Sequence, residues 1–243
     1  MCTTCGCDDP GLEIEKGRAP VGVHAGARTV RLERDVLAKN DALAAENRRW
    51  LASRNVLAWN LVSSPGAGKT SLLERLIPML GKRVTVSVIE GDQATENDAV
   101  RVRAAGARAH QVNTGVGCHL DATMVKAALD AIEPPAGSVL FIENVGNLVC
   151  PALFDLGERA KAVIASVTEG EDKPLKYPHM FKASDVLVLN KVDLLPHLRF
   201  DVDRFLAHAR EVNPRQKVFR VSAETGQGLE ELASWFAGEV QGA

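Results

Sequence analysis

The chain has 243 residues, 46% hydrophobic and 25% charged, with a formal net charge of −2. These values allow one large domain, or one domain with a modest extension. They give no electrostatic reason to expect a nucleic acid or an anionic membrane as partner. The longest apolar runs are strand-sized, which predicts no membrane span, and no basic segment leads into an apolar one as in a secretory signal. The five cysteines are odd in number and three crowd the first seven residues. A secreted disulfide framework spreads an even number along the chain, so reduced thiols and a cytoplasmic location are expected.

Residues 1–27 carry five Gly, two Pro and little apolar periodicity, which predicts a flexible arm. Its opening MCTTCGC offers Cys2, Cys5 and Cys7 as three thiolates within reach of one ion, with the α-amine as a fourth donor. No second C-x-x-C or H-x-x-x-H completes a structural zinc tetrahedron. Thiolates with amine or backbone nitrogen in one plane favour Ni(II). A redox dithiol lacks its βαβ context here. Residues 28–55 predict a helix, with Val30, Leu37, Ala44 and Leu51 recurring at sevens beside Val36, Leu43 and Trp50. That stripe packs on the following domain or pairs between subunits; four heptad positions are too few to favour pairing.

From Val56 the pattern alternates. Apolar runs at 56–64, 83–91, 107–114, 138–146, 162–168, 185–191 and 217–223 are separated mostly by helix-like stretches, which predicts a mostly parallel sheet covered on both faces. With right-handed crossovers this is a three-layer α/β domain over 56–243. The first run ends in SSPGAGKTS, residues 63–71, which matches G-x-x-x-x-G-K-[ST] except for Ser63 at the first Gly. Gly66, Ala67, Gly68 and Ser71 belong to its phosphate-cradling backbone. Lys69 is expected on the β/γ-phosphates and the Thr70 hydroxyl on Mg²⁺.

Asp92 ends the second run, a natural place for a Mg²⁺-linked or water-orienting carboxylate, while Asp98 reads as a helix-surface acid. Cys118 and His119 follow the third run. As neighbours opening a helix they would point apart, and so bridge two ions or two subunits rather than chelate one. FIENVGN (141–147) resembles the D-x-x-G switch, with Glu143 for Asp acting on Mg²⁺ and the Gly146 N–H expected on the γ-phosphate. Cys150 lies four residues beyond Gly146, so a loop that responds to hydrolysis would carry a thiolate with it. A buried free cysteine is the ordinary alternative for Cys118 and Cys150, but both follow strand ends on the nucleotide side of such a sheet.

LNKVD (189–193) resembles the guanine-reading N-K-x-D motif, with Asn190, Lys191 and Asp193 in place. The Asp193 carboxylate suits the N1 and N2 donors of guanine, which adenine lacks. VSAETGQG (221–228) resembles the S-A loop, where Ser222 precedes the Ala223 N–H expected at guanine O6. In this order the motifs predict GTP. No arginine finger is evident, so intrinsic hydrolysis is expected to be slow.

Together, MCTTCGC, SSPGAGKTS, EGDQATENDA, TGVGCHLD, ENVGNLVCP, TEGEDKPLKYP and NKVDLL resemble the HypB family of hydrogenase nickel-incorporation GTPases over nearly the whole chain. The resemblance implies a SIMIBI-type P-loop GTPase fold, a GTP-linked homodimer, and nickel delivery to [NiFe]-hydrogenase with a partner of the HypA type. It also implies a high-affinity nickel motif at Cys2, Cys5 and Cys7, and a nickel/zinc site at Cys118, His119 and Cys150 at the dimer interface. Lys173 and Lys176 fall in a family-like loop without an assigned contact. The chain departs from some relatives in lacking a His-rich stretch: residues 8–40 hold only His24, against bulk nickel storage. Two other readings are a urease-type nickel GTPase, and a nickel/zinc buffer or sensor whose GTP site only sets conformation.

Overall fold

The structure, a computed structural model, describes residues 23–92 and 97–241. All seven apolar runs are strands: β1 (Leu57–Ser63), β2 (Val86–Asp92), β3 (Arg108–Asn113), β4 (Val139–Glu143), β5 (Ala160–Ser166), β6 (Val186–Asn190) and β7 (Lys217–Arg220). They form one sheet in the order β3-β2-β4-β1-β5-β6-β7, every neighbouring pair parallel. Parallel strands need crossovers that cover both faces. Accordingly β1, β4, β5 and β6 are buried at every position.

The long helices are α1 (Val23–Ser53), α2 (Lys69–Leu80), α3 (Asn97–Ala104) and α4 (Ala122–Ile132), and two short ones follow, α5 (Lys173–Lys176) and α6 (Pro178–Ala183). The chain closes with α7 (Val202–Val212) and α8 (Leu229–Gln241). Alternate strand residues sort to opposite faces. Trp59, Leu61 and Phe141 meet Leu72, Leu76 and Phe236 of α2 and α8 on one face. Ala58, Leu140 and Ile142 meet Leu51 of α1 and Val125 and Leu129 of α4 on the other, and further along that face Val163 and Leu187 meet Phe181 and Phe205 of α6 and α7. Each buried Val, Leu, Ile or Phe among them contributes about 1.5–3 kcal/mol. Strand order reverses around β1, so the crevice beyond the carboxyl ends of β1 and its neighbours is the expected ligand position. No described helix is long and apolar enough to cross a membrane.

The N-terminal helix runs Val23–Ser53 where the sequence pattern predicts 28–55. Its end is set by Asn55, in the left-handed region at φ 52°. The Asn55 N–H donates to Ala52 O (3.1 Å) and the Val56 N–H to Leu51 O (2.9 Å), the paired bonds of a Schellman stop. This helix packs on its own domain, against α4 and β1. Two buried asparagines fix it there. Asn40 donates to Asp155 O (2.8 Å) and accepts from the Ala122 N–H (2.9 Å), while Asn47 donates to Ala122 O (2.9 Å) and Leu156 O (3.1 Å). A Cβ on Gly157 would lie 2.6 Å from the Asn47 Cβ, so only glycine lets the chain pass this close. Asn47→Ala takes the partner from the Leu156 carbonyl at about 1–3 kcal/mol and the side-chain bond from Ala122 O, which keeps its helical bond. Thermal denaturation should show a fall of about 2–4 °C in Tm per kcal/mol for a chain of this size; an unchanged Tm would mean the asparagine does not hold α1.

Candidate nucleotide and metal site

The loop after β1 turns through two left-handed glycines, Gly66 (φ 75°) and Gly68 (φ 94°), and leads straight into α2 at Lys69. A Cβ at Gly68 would sit 2.7 Å from Asn190 Nδ2, so the loop tolerates no side chain there. Ser63, the departure from the usual first glycine, has a use: the Lys69 ammonium donates to its hydroxyl at 3.0 Å. The lysine is thereby held across the loop, with the positive end of α2 behind it. A cleft of about 610 Å³ opens above, lined by Gly66, Gly68, Lys69, Thr70 and Ser71 together with Asp92, Glu143, Gly146 and Lys191.

Asn190 binds two distant motifs together. Its Nδ2 donates to Ala67 O (3.0 Å) and its Oδ1 accepts from the Ala223 N–H (3.2 Å). Lys191, at φ 62°, throws its ammonium back onto Gly66 O (2.7 Å). Asp193 lies in a 3-10 turn (Val192–His197), and its carboxylate accepts from the Ser222 hydroxyl. That hydroxyl also accepts from the Thr225 N–H (3.0 Å), which orients the loop carrying Ala223. Hydrogen bonds thus join the phosphate loop, the N-K-x-D corner and the S-A loop, and Lys191 reaches the cleft itself.

The cleft floor is acidic. Thr70 Oγ1 donates to Glu143 Oε1 at 2.9 Å. Parallel register sets Glu90 of β2 directly beside Glu143 of β4. Carboxylate oxygens of Glu90, Asp98 and Glu143 lie within 4.8 Å of one another, a spacing that suits a divalent cation. Glu90 and Glu143 are buried, each with one carboxylate oxygen lacking a hydrogen-bond partner. Burial, then the neighbouring Glu143 carboxylate, pushes the Glu90 pKa up to about 11. Burial also raises that of Glu143, against the pull of the Lys69 charge. Without a cation the two side chains share a proton.

Asp98 is not the surface acid that its helical position predicts. It faces the cleft and pairs with Arg101 at 2.8 Å. Arg101 also donates to both oxygens of Glu74 (3.1 and 2.7 Å) and to Ser71 Oγ (3.2 Å). Glu90 and Arg101 are the charged cleft residues to which the sequence reading gives no role. The signal for Glu90 was its place two residues before Asp92, on the same strand face; for Arg101 it was one helical turn from Asp98. Gly146 meets the phosphate loop directly: a Cβ there would lie 3.0 Å from the Pro65 backbone.

Cys118, His119 and Cys150 come together within one chain, their ligand atoms within 4.8 Å of one another. Cys118 Sγ lies 3.2 Å from Cys150 Sγ and 3.6 Å from His119 Nδ1. The expectation that Cys118 and His119 point apart is corrected, because they do not open a helix. The α4 helix begins at Ala122, capped by Asp121, whose carboxylate accepts from the Met124 N–H at 2.8 Å. The two residues lie in the preceding bend, where consecutive side chains can converge. Cys150 opens a 3-10 turn, Cys150–Ala152. The His119 ring stacks on Phe154 at 4.0 Å, and burial lowers its pKa against the Asp121 charge, favouring the neutral imidazole that metals bind. Asn147 donates to Cys118 O (3.3 Å) and accepts from the Val149 N–H (2.8 Å), spanning the stretch from Gly146 to Cys150. Cys118 also lines the nucleotide cleft. Lys173 pairs with Glu169 (3.0 Å) and Lys176 with Asp172 (2.8 Å), each one helical turn away. Cys2, Cys5 and Cys7 lie outside the described residues.

An all-parallel sheet reversing at β1, a phosphate loop feeding α2, and a guanine-type N-K-x-D corner bonded to it define a P-loop GTPase. A family model described as the CobW/HypB/UreG nucleotide-binding domain matches residues 57–220. A hydrogenase maturation factor HypB from Rhizobium leguminosarum bv. viciae is 57% identical over 232 residues, covering 94% of this chain and 77% of its own. Among solved structures, the hydrogenase maturation factor HypB of Archaeoglobus fulgidus superposes with a TM-score of 0.78 at 40% identity, covering 84% of this chain and 99% of that one. HypB from Helicobacter pylori in complex with nickel does so with the same score at 37% identity, covering 84% and 95%. The chain belongs to the CobW/HypB/UreG family of P-loop GTPases and, within it, to the HypB hydrogenase maturation factors.

The acidic floor carries a consequence for stability. A carboxyl held protonated in the folded state against an unfolded value of 4.5 contributes stability below pH 4.5 that is lost as pH rises toward its folded pKa. Glu90→Gln removes that loss. In metal- and nucleotide-free protein the variant should melt above the parent at pH 8, and its decline in Tm between pH 5 and 9 should be shallower. Parallel Tm profiles would refute the protonated-pair description.

Proposed function

We propose that the protein hydrolyses GTP to GDP and phosphate and delivers Ni(II) during maturation of [NiFe]-hydrogenase. In this reading GTP and metal link a homodimer, and a HypA-type protein receives or supplies the ion. The observation that carries it is the shared wall: Cys118, part of the thiolate–imidazole triad, also lines the nucleotide cleft.

Backbone groups of Gly66, Ala67, Gly68, Lys69, Thr70 and Ser71 cradle the phosphates, with the Lys69 ammonium on the β/γ-oxygens. Asn190, Lys191, Asp193, Ser222 and Ala223 hold and read guanine. Thr70, Asp92 and Glu143 hold Mg²⁺, which when bound neutralises charge spread over the β- and γ-phosphates. The orphaned buried oxygen of Glu143, beside the Thr70 hydroxyl, fits that assignment. Gly146, packed on Pro65, is placed to register the γ-phosphate. Its loop continues through Asn147, bonded to Cys118, to Cys150. A shift of this loop on hydrolysis changes the spacing of the thiolate ligands and with it the affinity for metal.

Soft thiolates with a neutral imidazole suit Ni(II) or Zn²⁺ rather than Mg²⁺. Three donors leave coordination incomplete within one chain, which suits transfer and a contribution from a second copy. Cys2, Cys5 and Cys7 form a separate nickel site at the N-terminus.

Ni(II) titration of the full chain, with GDP and with a non-hydrolysable GTP analogue, tests this reading. Two classes of site are expected. A variant with Cys2, Cys5 and Cys7 changed to Ala should lose one class, and Cys150→Ser the other. The class surviving in the triple variant should shift in affinity between the two nucleotides. Nickel binding indifferent to nucleotide would remove the coupling from the switch loop to Cys150. GTP turnover that proceeds without any metal transfer to acceptor protein would favour a buffering role.

A further inference from the structure

The buried Glu90 carboxyl is unexplained by packing. It sits on β2 at 2% exposure, flanked by Ile89 and Gly91, with an oxygen that finds no hydrogen-bond donor. Burying such a group in an apolar strand is costly without a compensating partner, and a leucine or valine would satisfy the strand better. Three further observations point to the missing partner. Glu90 lines the nucleotide cleft rather than the apolar faces of the sheet. Parallel register pairs it with Glu143, itself carrying an orphaned oxygen and bonded to Thr70 Oγ1. Asp98 approaches from α3, so that oxygens of all three carboxylates lie within 4.8 Å of one another. Asp92 lines the cleft as well but is not one of this trio.

We propose that Glu90 belongs to the ligand shell of the divalent cation that accompanies the nucleotide, acting with Glu143 and with Asp98 at its edge. The inference rests on the GTP reading above and adds a residue that the phosphate-loop and switch motifs do not contain. Hard divalent cations take carboxylate oxygens, directly or through bound water, and the trio offers them from two strands and a helix. Arg101 balances Asp98 at 2.8 Å, and Lys69 and Lys191 are the other cationic residues among those that line the cleft. A triphosphate entering without a divalent ion would face the net negative charge of this acidic trio at close range, where repulsion is weakly screened. The shell therefore makes triphosphate binding depend steeply on the cation, more so than an uncharged floor.

The test uses the full chain and reads binding rather than turnover. Affinity for a fluorescent non-hydrolysable GTP analogue is measured while Mg²⁺ is raised from chelator to excess, in the parent, in Glu90→Gln and in Asp98→Asn. Mn(II) paramagnetic resonance on the same complexes reads the cation's own dissociation. The parent should bind the analogue poorly in chelator and recover with Mg²⁺. Glu90→Gln should need about 10–100-fold more cation for half-maximal binding, the usual cost of removing a carboxylate near a metal. In chelator it should bind the analogue as the parent does, because the carboxyl pair without a cation already holds a proton that the amide replaces. Asp98→Asn should move the same way to a smaller extent. A Mg²⁺ requirement and Mn(II) affinity unchanged in Glu90→Gln would overturn the assignment of Glu90 while leaving nucleotide binding intact. A parent that binds no guanine nucleotide at any Mg²⁺ concentration would overturn the GTP reading, and this assignment with it.

Discussion

The register of β4 between β1 and β2 is the constraint on which the upper edge of the molecule depends. Glu143 is paired across to Leu61 on one side and Glu90 on the other. That pairing delivers the carboxylate to the Thr70 hydroxyl. Side chains alternate faces with a period of two, so a slip of one residue would send Glu143 into the opposite layer of packed helices. The interdigitated rings on the covered face resist such a slip: Trp59 meets Trp235 and Phe236 at 5.0 and 5.1 Å, and Phe141 meets Phe236 at 5.1 Å. Core packing thus fixes the height at which the chemistry emerges.

What leaves β4 inherits that position. The Asn144 N–H continues the ladder onto Leu61 O, while its side chain accepts from the Leu120 N–H and donates to Asn60 Oδ1. Three residues on, Asn147 bonds the Cys118 carbonyl. The bend carrying Cys118 and His119 is therefore hung from the same strand end that carries Glu143. Below it, Asn60 donates to the buried Glu158, which accepts from the Leu156 N–H and lies 3.6 Å from Lys161. Buried polar chains of this kind are satisfied link by link, and loss of one member leaves its neighbours unpaired at full cost. By contrast the exposed Arg48–Asp155 pair, though short at 2.6 Å, contributes little, because water competes for both ends.

Much of this was legible in the sequence because the signals were dense. Runs such as VLFIE leave a strand no face to expose to water, and their alternation with helix-like stretches points to seven strands in a mostly parallel sheet. The phosphate loop and the N-K-x-D corner were legible because both need particular residues at fixed spacing. The illegible parts depend on contacts between distant segments. Asp98 looked like a surface acid because helical spacing does not say that the exposed face of α3 borders a cleft. Glu90 was hidden inside an apolar strand pattern, its meaning supplied only by its neighbour on β4. Cys118 and His119 diverge only if they open a helix, whereas Asp121 caps α4 three residues after Cys118. The short helices α5 and α6, divided at Tyr177 before Pro178, carry too few turns for periodicity to register.

Two kinds of donor meet around Asn144, and their chemistry keeps them from competing. Below lies an oxygen set, the Thr70 hydroxyl with the carboxylates of Glu143, Glu90 and Asp98, which suits small hard cations. Above lies a set of two thiols and an imidazole, which such cations bind poorly and borderline or soft metals bind well. Because the sets differ in softness, they can lie within one cleft wall without exchanging ions. Asn144 follows Glu143 directly and Asn147 lies three residues beyond Asn144, and both bond the segment bearing Cys118, so one hydrogen-bonded run joins the two sets. A flexible loop between them would let each set relax alone. In the proposed reading, a run of side chains bonded on both sides, anchored to a strand whose register cannot slip, is what lets occupancy of one set carry an energetic cost or gain at the other.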